Sequence, residues 1–218
     1  KALATTIDNV EEYEEAVMAF VNSPADSQVL QGYQFFKVFD DHQLEYVVLA
    51  KGDSDDVYMV GKLAAFEIQN LLVAYKERYD KDNFIKNLLL DNLLLVDIYN
   101  RAKKLHIEAS VRRVVFLIET KNEKDTNALE IVRTLFAPKT HDFITAVDEK
   151  NIILVKEVKS TDTLDDLDKT AYMIIDMLST EAMSAAKIAY GTVINDIREV
   201  SRSYKEAQMA LDVGKIFY

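Results

Sequence analysis

"DFITAVDEKNIILVKEV", residues Asp142 to Val158, is the stretch on which the fold turns. Two runs of β-branched and apolar residues, Asp142–Val147 and Asn151–Val158, flank the polar pivot "VDEKN" (Val147–Asn151), which reads as a hairpin turn. Working outward, a strand "RRVVFLIE" (Arg112–Glu119) and a helix over about residues 127–136 come before it. A helix over about Leu164–Met183 and a strand "AKIAYGTV" (Ala186–Val193) follow it. The order β-α-β-β-α-β is the split βαβ, or ferredoxin-like, plan, in which two helices cover one face of a four-stranded sheet. A further helix is predicted at each end. The first, "LLLVDIYNRAKKL", closes on Lys103, Lys104 and Leu105, with cations at the negative end of its dipole.

The last helix follows "GTVINDIREVSRSYKEAQMAL". Asn195 or Asp196 is expected to cap a short turn, and Ser203 with Glu206 to form an S-x-x-E capping box for the helix proper. Tyr204, Ala207, Leu211 and Gly214 then share a face.

The N-terminal part reads differently. A helix over Ile7–Val21, capped by Asp8 or Asn9, is broken by "NSPADS". "YQFFKVF" (Tyr33–Phe39) and "LEYVVLA" (Leu44–Ala50), separated by "DDHQ", form a β-hairpin. Phe36 and Val38 on one face oppose Phe35 and Phe39 on the other, so one face is expected on a helix and the other on a partner or on further strands. "GDSDDVY" ends the hairpin and, through Ser54, Asp55 or Asp56, caps a long helix from Val57. Val57, Gly61, Ala64, Ile68, Leu71 and Tyr75 alternate spacings of four and three, the pattern of a helix–helix seam. Continued to Leu90, the helix would be about 50 Å long at roughly 1.5 Å per residue. Burial along one subunit and a dimerising connector both fit; the seam favours the connector. The domains expected are therefore 1–56, a partial sensor segment; 57–91, a connector helix; and 92–218, the split βαβ domain. The class is α+β.

With 49% hydrophobic and 29% charged residues, the 218-residue chain can bury a core. Its formal charge of -11 repels phosphate backbones and argues against a nucleic-acid-binding surface here. The absence of cysteine removes disulfides, thiolate catalysis and Cys-ligated zinc. "NLLLDNLLLV" (Asn87–Val96) is too short to span a bilayer and is broken by Asp91 and Asn92, so no membrane segment and a cytoplasmic location are expected. The chain opens on Lys1 with neither initiator Met nor signal peptide, and is expected to be a fragment.

Sites for chemistry are sparse. Gly32, Gly52, Gly61, Gly191 and Gly214 make no phosphate-binding loop. His42, His106 and His141 lack the paired spacing of a metal site. "DTLDDLD" (Asp162–Asp168) fails as a calcium loop, since Leu167 stands where glycine is needed and Met173 where the bidentate carboxylate would be. Acids in the first turns of a helix are the simpler reading. No catalytic residue, metal or cofactor is expected.

"NFIKNLLLDNLLLVDIYNRAKKLHIEASVRRVVFLIE" (Asn83–Glu119) and "IAYGTVINDIREVSRSYKEAQMALDVG" (Ile188–Gly214) resemble the central module of PucR/CdaR-type bacterial transcriptional regulators. Ala102, Leu105 and Ile107 match that family's helix ending. Gly191, Ser203, Tyr204, Glu206, Ala207, Ala210 and Leu211 match its glycine-to-helix motif. The resemblance implies a fold similar to the GGDEF nucleotide-cyclase domain. Active cyclases of that type need a Gly-Gly-Asp/Glu turn and a metal-binding acid after the first strand; here stand "VDEKN" and "ETK", leaving Glu119, Asp148 and Glu149 as scattered acids. The function implied is signalling within a one-component regulator. A PAS- or GAF-like sensor binds an unknown small-molecule effector, with Phe36 and Tyr46 as candidate contacts. The connector sets a homodimer, and the helix carrying Ser203, Tyr204, Glu206, Ala207 and Leu211 relays to a C-terminal helix-turn-helix domain, through which alone DNA is bound. The alternative is a nucleotide-binding or cyclase-type enzyme on the same fold.

Overall fold

The computed structural model describes residues 3–6, 10–40, 42–52, 54, 56–120, 126–136, 141–148 and 150–217. The expected caps Asp8, Asn9 and Asp55, and the acid Glu149, lie outside them. The described residues form six α-helices and two antiparallel sheets, an α+β architecture. The chain divides into two compact units, Lys1–Arg78 and Tyr79–Tyr218.

In the first unit a 3-10 turn (Val10–Tyr13) leads into α1 (Glu14–Val21), so the regular helix is shorter than expected. A meander of β1 (Ser27–Leu30), β2 (Tyr33–Asp40) and β3 (Gln43–Ala50) follows, with β2 in the centre. The sequence reading missed β1: four residues joined to β2 through Gln31 and Gly32, both at positive φ, carry no measurable period. Between Val38↔Tyr46 and Phe39↔Leu44 the register slips, leaving Glu45 as a bulge.

Both faces of this sheet are covered within the unit, which corrects the expectation of a partner or further strands on one of them. Phe35 and Tyr33 pack with Phe20 and Ala16 of α1. Phe36 and Val38 pack with Ala65, Ile68 and Leu72 of α2 (Val57–Leu89). α2 is a continuous 33-residue helix that begins in the first unit and ends in the second. It closes with Asp91 left-handed (φ 60), Asn92 N–H donating to Asn87 O (2.9 Å) and Asp91 N–H to Leu88 O (3.2 Å). α3 (Leu95–Lys104) ends the same way around His106 (φ 55), with Ile107 N–H on Ala102 O at 2.8 Å.

In the second unit β4 (Arg113–Thr120), α4 (Thr126–Leu135), β5 (Phe143–Ala146), β6 (Asn151–Glu157), α5 (Leu164–Glu181) and β7 (Ala186–Tyr190) follow in the expected order. The sheet is ordered β5-β6-β4-β7, every neighbour antiparallel. β4 is central and buried on both faces, which is why "VVFLI" shows no alternation. Val114, Phe116 and Ile118 meet α4 and α5 through Val132, Ile174 and Leu178. Val115 and Leu117 face the opposite layer, built from the end of α2 (Phe84, Ile85, Leu88), from α3 (Ile98, Ala102) and from α6 (Val200–Phe217). Each such buried side chain contributes about 1.5–3 kcal/mol.

The acids of "DTLDDLD" behave as helix-start residues. The Asp166 carboxylate accepts from Thr163 N (2.9 Å) and Thr163 Oγ1 (2.8 Å) at the head of α5, and these bonds hold its pKa below the usual carboxylate value. At the other end Met183 is left-handed (φ 49) and 91% exposed. Met183→Gly is therefore expected to stabilise the protein by about 0.5–1 kcal/mol, less than the full left-handed penalty because glycine gains freedom in the unfolded chain. Urea unfolding would read this as a higher midpoint at unchanged slope.

Candidate functional site

A densely bonded polar site lies where β7 leaves the sheet. Tyr190 pairs with Phe116, and Gly191 N–H still donates to Val115 O (3.0 Å). The chain then departs and returns at Ile194, which exchanges both backbone bonds with Arg113 (2.9 and 2.8 Å). In the gap, the Ser203 hydroxyl stands in for the missing strand residue. It accepts from Val115 N (3.1 Å) and donates to Thr192 O (2.9 Å). Ser203 is completely buried. A Cβ on Gly191 would overlap the Ser203 carbonyl oxygen and come within 2.6 Å of its Oγ, so only glycine lets α6 approach this closely.

One turn further along α6, the Glu206 carboxylate accepts from Thr192 N (2.8 Å) and Thr192 Oγ1 (2.5 Å). Those bonds, the hydroxyl's first, hold the Glu206 pKa below its usual value. The expected Ser203–Glu206 capping box is thus corrected. α6 begins at Val200, so Ser203 sits within the helix and both side chains are spent on Thr192 instead. The preceding 3-10 turn is capped by Asp196, which accepts from Arg198 N (3.0 Å) and from Tyr99 Oη (3.0 Å), tying α3 to the same corner. Tyr204, Ala207 and Leu211 are buried in the core beneath α6, and burial raises the Tyr204 pKa. Of the five expected relay residues, Ser203, Tyr204, Ala207 and Leu211 are buried and Glu206 alone keeps appreciable exposure; outward stand Met209, Ala210, Val213 and Ile216.

A depressed carboxylate pKa stabilises the fold fully above the unfolded value and ceases to do so as pH falls through the folded one. Glu206→Gln keeps an acceptor for Thr192 but cannot titrate. Its stability should fall less than that of the parent between about pH 5 and pH 3, by under about 1 kcal/mol at this part-exposed position. Urea titrations at the two pH values measure it.

Of the acids named from the cyclase resemblance, Glu119 and Asp148 lie at one end of the second sheet. Glu119, near the end of β4, forms an ion pair with Lys215 of α6 (2.7 Å). It stands opposite Asn151, whose Nδ2 donates to Asp148 Oδ2 (2.7 Å). Asp148 also accepts from the backbone N–H groups of Lys150 (2.9 Å) and Asn151 (2.8 Å). Burial works to raise its pKa, but the Asn151 and Lys150 bonds outweigh it and the net shift is downward. Among the described residues no three His, Asp or Glu side chains converge as a metal site would require. His141 pairs with Glu157 (3.1 Å), while His42 and His106 sit at left-handed backbone positions in separate loops.

The remaining candidates divide. Phe36 is 3% exposed, wedged against α2 where a Cβ on Gly61 would strike its ring; Tyr46 joins the same contact from β3. A groove of about 440 Å³ lies nearby, lined by Phe39, His42, Gln69 and Val73, residues the sequence did not single out. The Asp40–Lys76 ion pair (3.2 Å) stands in the same part of the unit. The expected seam mixes two faces of α2: Gly61 and Ile68 turn to the sheet and Val57 is half-buried, while Ala64, Leu71 and Tyr75 are exposed. Among the described residues α2 is also the helix long and apolar enough, by length and composition, to cross a membrane, a property missed when only unbroken apolar runs were considered.

Thr192, the common partner of Ser203 and Glu206, carried no sequence signal, because its role exists only once β7 and α6 meet. The same holds for Arg113, a buried guanidinium donating to Glu108 O (2.7 Å) beside the Phe143 ring. Burial lowers its pKa, against the pull of Glu157 and Glu108.

No curated protein and no solved structure matches the chain significantly. The model of the GGDEF-like domain family matches residues 92–213, more than half of the chain and nearly the whole of the sheet and helices just described. The four-stranded antiparallel sheet, the glycine that admits α6 and the match over those residues make this chain a member of the GGDEF-like domain family.

Proposed function

We propose that this chain is a non-catalytic signalling segment of a PucR/CdaR-type transcriptional regulator, working as a cytoplasmic homodimer. The first unit belongs to a PAS- or GAF-type sensor, α2 is the connector, and the GGDEF-like domain relays effector state to a helix-turn-helix domain outside these 218 residues. The observation that carries the reading is the condition of the acids at the cyclase-like end of the sheet. Glu119 is paired with Lys215 and Asp148 is taken up by its own turn, so neither is free to bind a metal. The formal charge of -11 supports placing DNA contacts in another domain. The groove beside Phe39 and Val73 is a better effector site than Phe36, whose ring is already covered.

A relay here acts by differential affinity: effector binding favours one arrangement of the regulator over another, and α6 transmits it because its inner face is anchored to the sheet. The family match favours one competing reading, a nucleotide-binding or cyclase-type enzyme. Incubation with GTP or ATP and magnesium tests the choice. The signalling reading expects no cyclic nucleotide product and no thermal stabilisation by either nucleotide; turnover would overturn it.

A further inference from the structure

We propose that α2 pairs in parallel with α2 of a second copy of this chain, along a seam of Met59, Leu63, Phe66, Asn70 and Val73. The spacing is four, three, four, three, the repeat of a two-stranded coiled coil. The four apolar members are 66%, 61%, 59% and 55% exposed in that order, which for large apolar side chains in one line marks an uncovered contact face. On the opposite side of the helix, Gly61, Ala65, Ile68 and Leu72 are held by the sheet of the first unit. With Leu63 at heptad position a, those four fall at c and f, the positions farthest from an a/d seam. The first unit therefore leaves Met59, Leu63, Phe66 and Asn70 open, and Val73, at the end of the seam, also borders the groove of Phe39 and His42.

Three features select a second copy, in parallel, as the occupant. Asn70 falls at a, where an asparagine facing its own counterpart specifies a two-stranded, in-register pair. Lys62 at g and Glu67 at the following e would meet across a parallel pair as opposite charges, twice by symmetry. With Val60 at e beside them, the exposed apolar members Met59, Leu63, Phe66 and Val73 make one apolar strip about four helical turns long, the extended contact that a two-stranded pair needs. The seam deepens the homodimer of the proposed function but stands on α2 alone. Cyclase activity would defeat that function and leave the seam intact, whereas a monomer would defeat the seam and leave the non-catalytic reading intact.

The chain lacks cysteine, so single-cysteine variants report proximity without background. On oxidation at micromolar concentration, Phe66→Cys, at d, is expected to cross-link about tenfold faster than Ala64→Cys, at b, because only at d do the two Cα atoms come within disulfide range. In sedimentation equilibrium the parent is expected to be a dimer. Lys62→Glu or Glu67→Lys alone should weaken it and the two together restore it. None of the four positions packs in the core of the first unit, so unchanged circular dichroism shows that folding is intact. A monomeric parent, faster linkage at Ala64→Cys, or a mixture of Met59→Cys and Val73→Cys that links to each other rather than to themselves would overturn the proposal. So would a monomer that sediments with phosphatidylcholine vesicles, which would make lipid the occupant.

Discussion

Gly191→Ala should destabilise the GGDEF-like domain by about 3–5 kcal/mol, at the upper end of overpacking effects because the obstacle is backbone. The added methyl group overlaps the carbonyl oxygen of Ser203 and has no side chain to push aside. Either α6 lifts from the sheet, exposing Tyr204, Ala207 and Leu211, or Gly191 gives up its bond to Val115 O. Chemical denaturation followed by far-ultraviolet circular dichroism checks this. A variant within about 1 kcal/mol of the parent would show that the helix can retreat at little cost. Gly214→Ala serves as the control: nothing lies within 4 Å of the Cβ position there, and in a helix alanine is favoured by about 1 kcal/mol.

Ser203→Ala is expected to cost about 2–4 kcal/mol, from two backbone groups rather than from the lost hydroxyl itself. Val115 N–H, in the central strand, loses its acceptor, and Thr192 O loses the Ser203 donor. The void is too small to admit water readily, so the amide stays desolvated and unpaired. Ser203→Thr retains the hydroxyl and should recover part of the loss if the extra methyl group is tolerated. The amide hydrogen of Val115 offers a direct readout: its exchange should accelerate in Ser203→Ala beyond what the change in global stability explains. Equal acceleration throughout β4 would instead show that the serine acts only through overall stability.

Much of the architecture was legible before any coordinates. β-branched runs bounded by polar turns located β4, β5, β6 and β7, and helical periodicity located α4 and α5, because those signals are local and each element obeys its own period. Elements without a period were lost, as β1 was. Faces were harder than elements. The spacing of α2 is compatible with more than one apolar stripe, and the one chosen, through Gly61 and Ile68, runs partly along the side that the first sheet occupies. Exposure of Met59, Leu63 and Phe66 separates the stripes only after the sheet is in place.

The terminal motif draws the same line more sharply. By itself the sequence determined that a glycine, a serine and a glutamate recur with a helix near the end of the chain, that no glycine-rich phosphate loop or cysteine ligand is present, and that the sheet follows a split βαβ order. Only the tertiary structure decided what the motif is for. A serine three residues before a glutamate reads locally as a cap, since the capping box involves residues of one turn. Here the partners, Val115 and Thr192, lie 88 and 11 residues away, and a hydroxyl can complete a strand's hydrogen bonding only where folding has brought a helix against the gap that strand leaves.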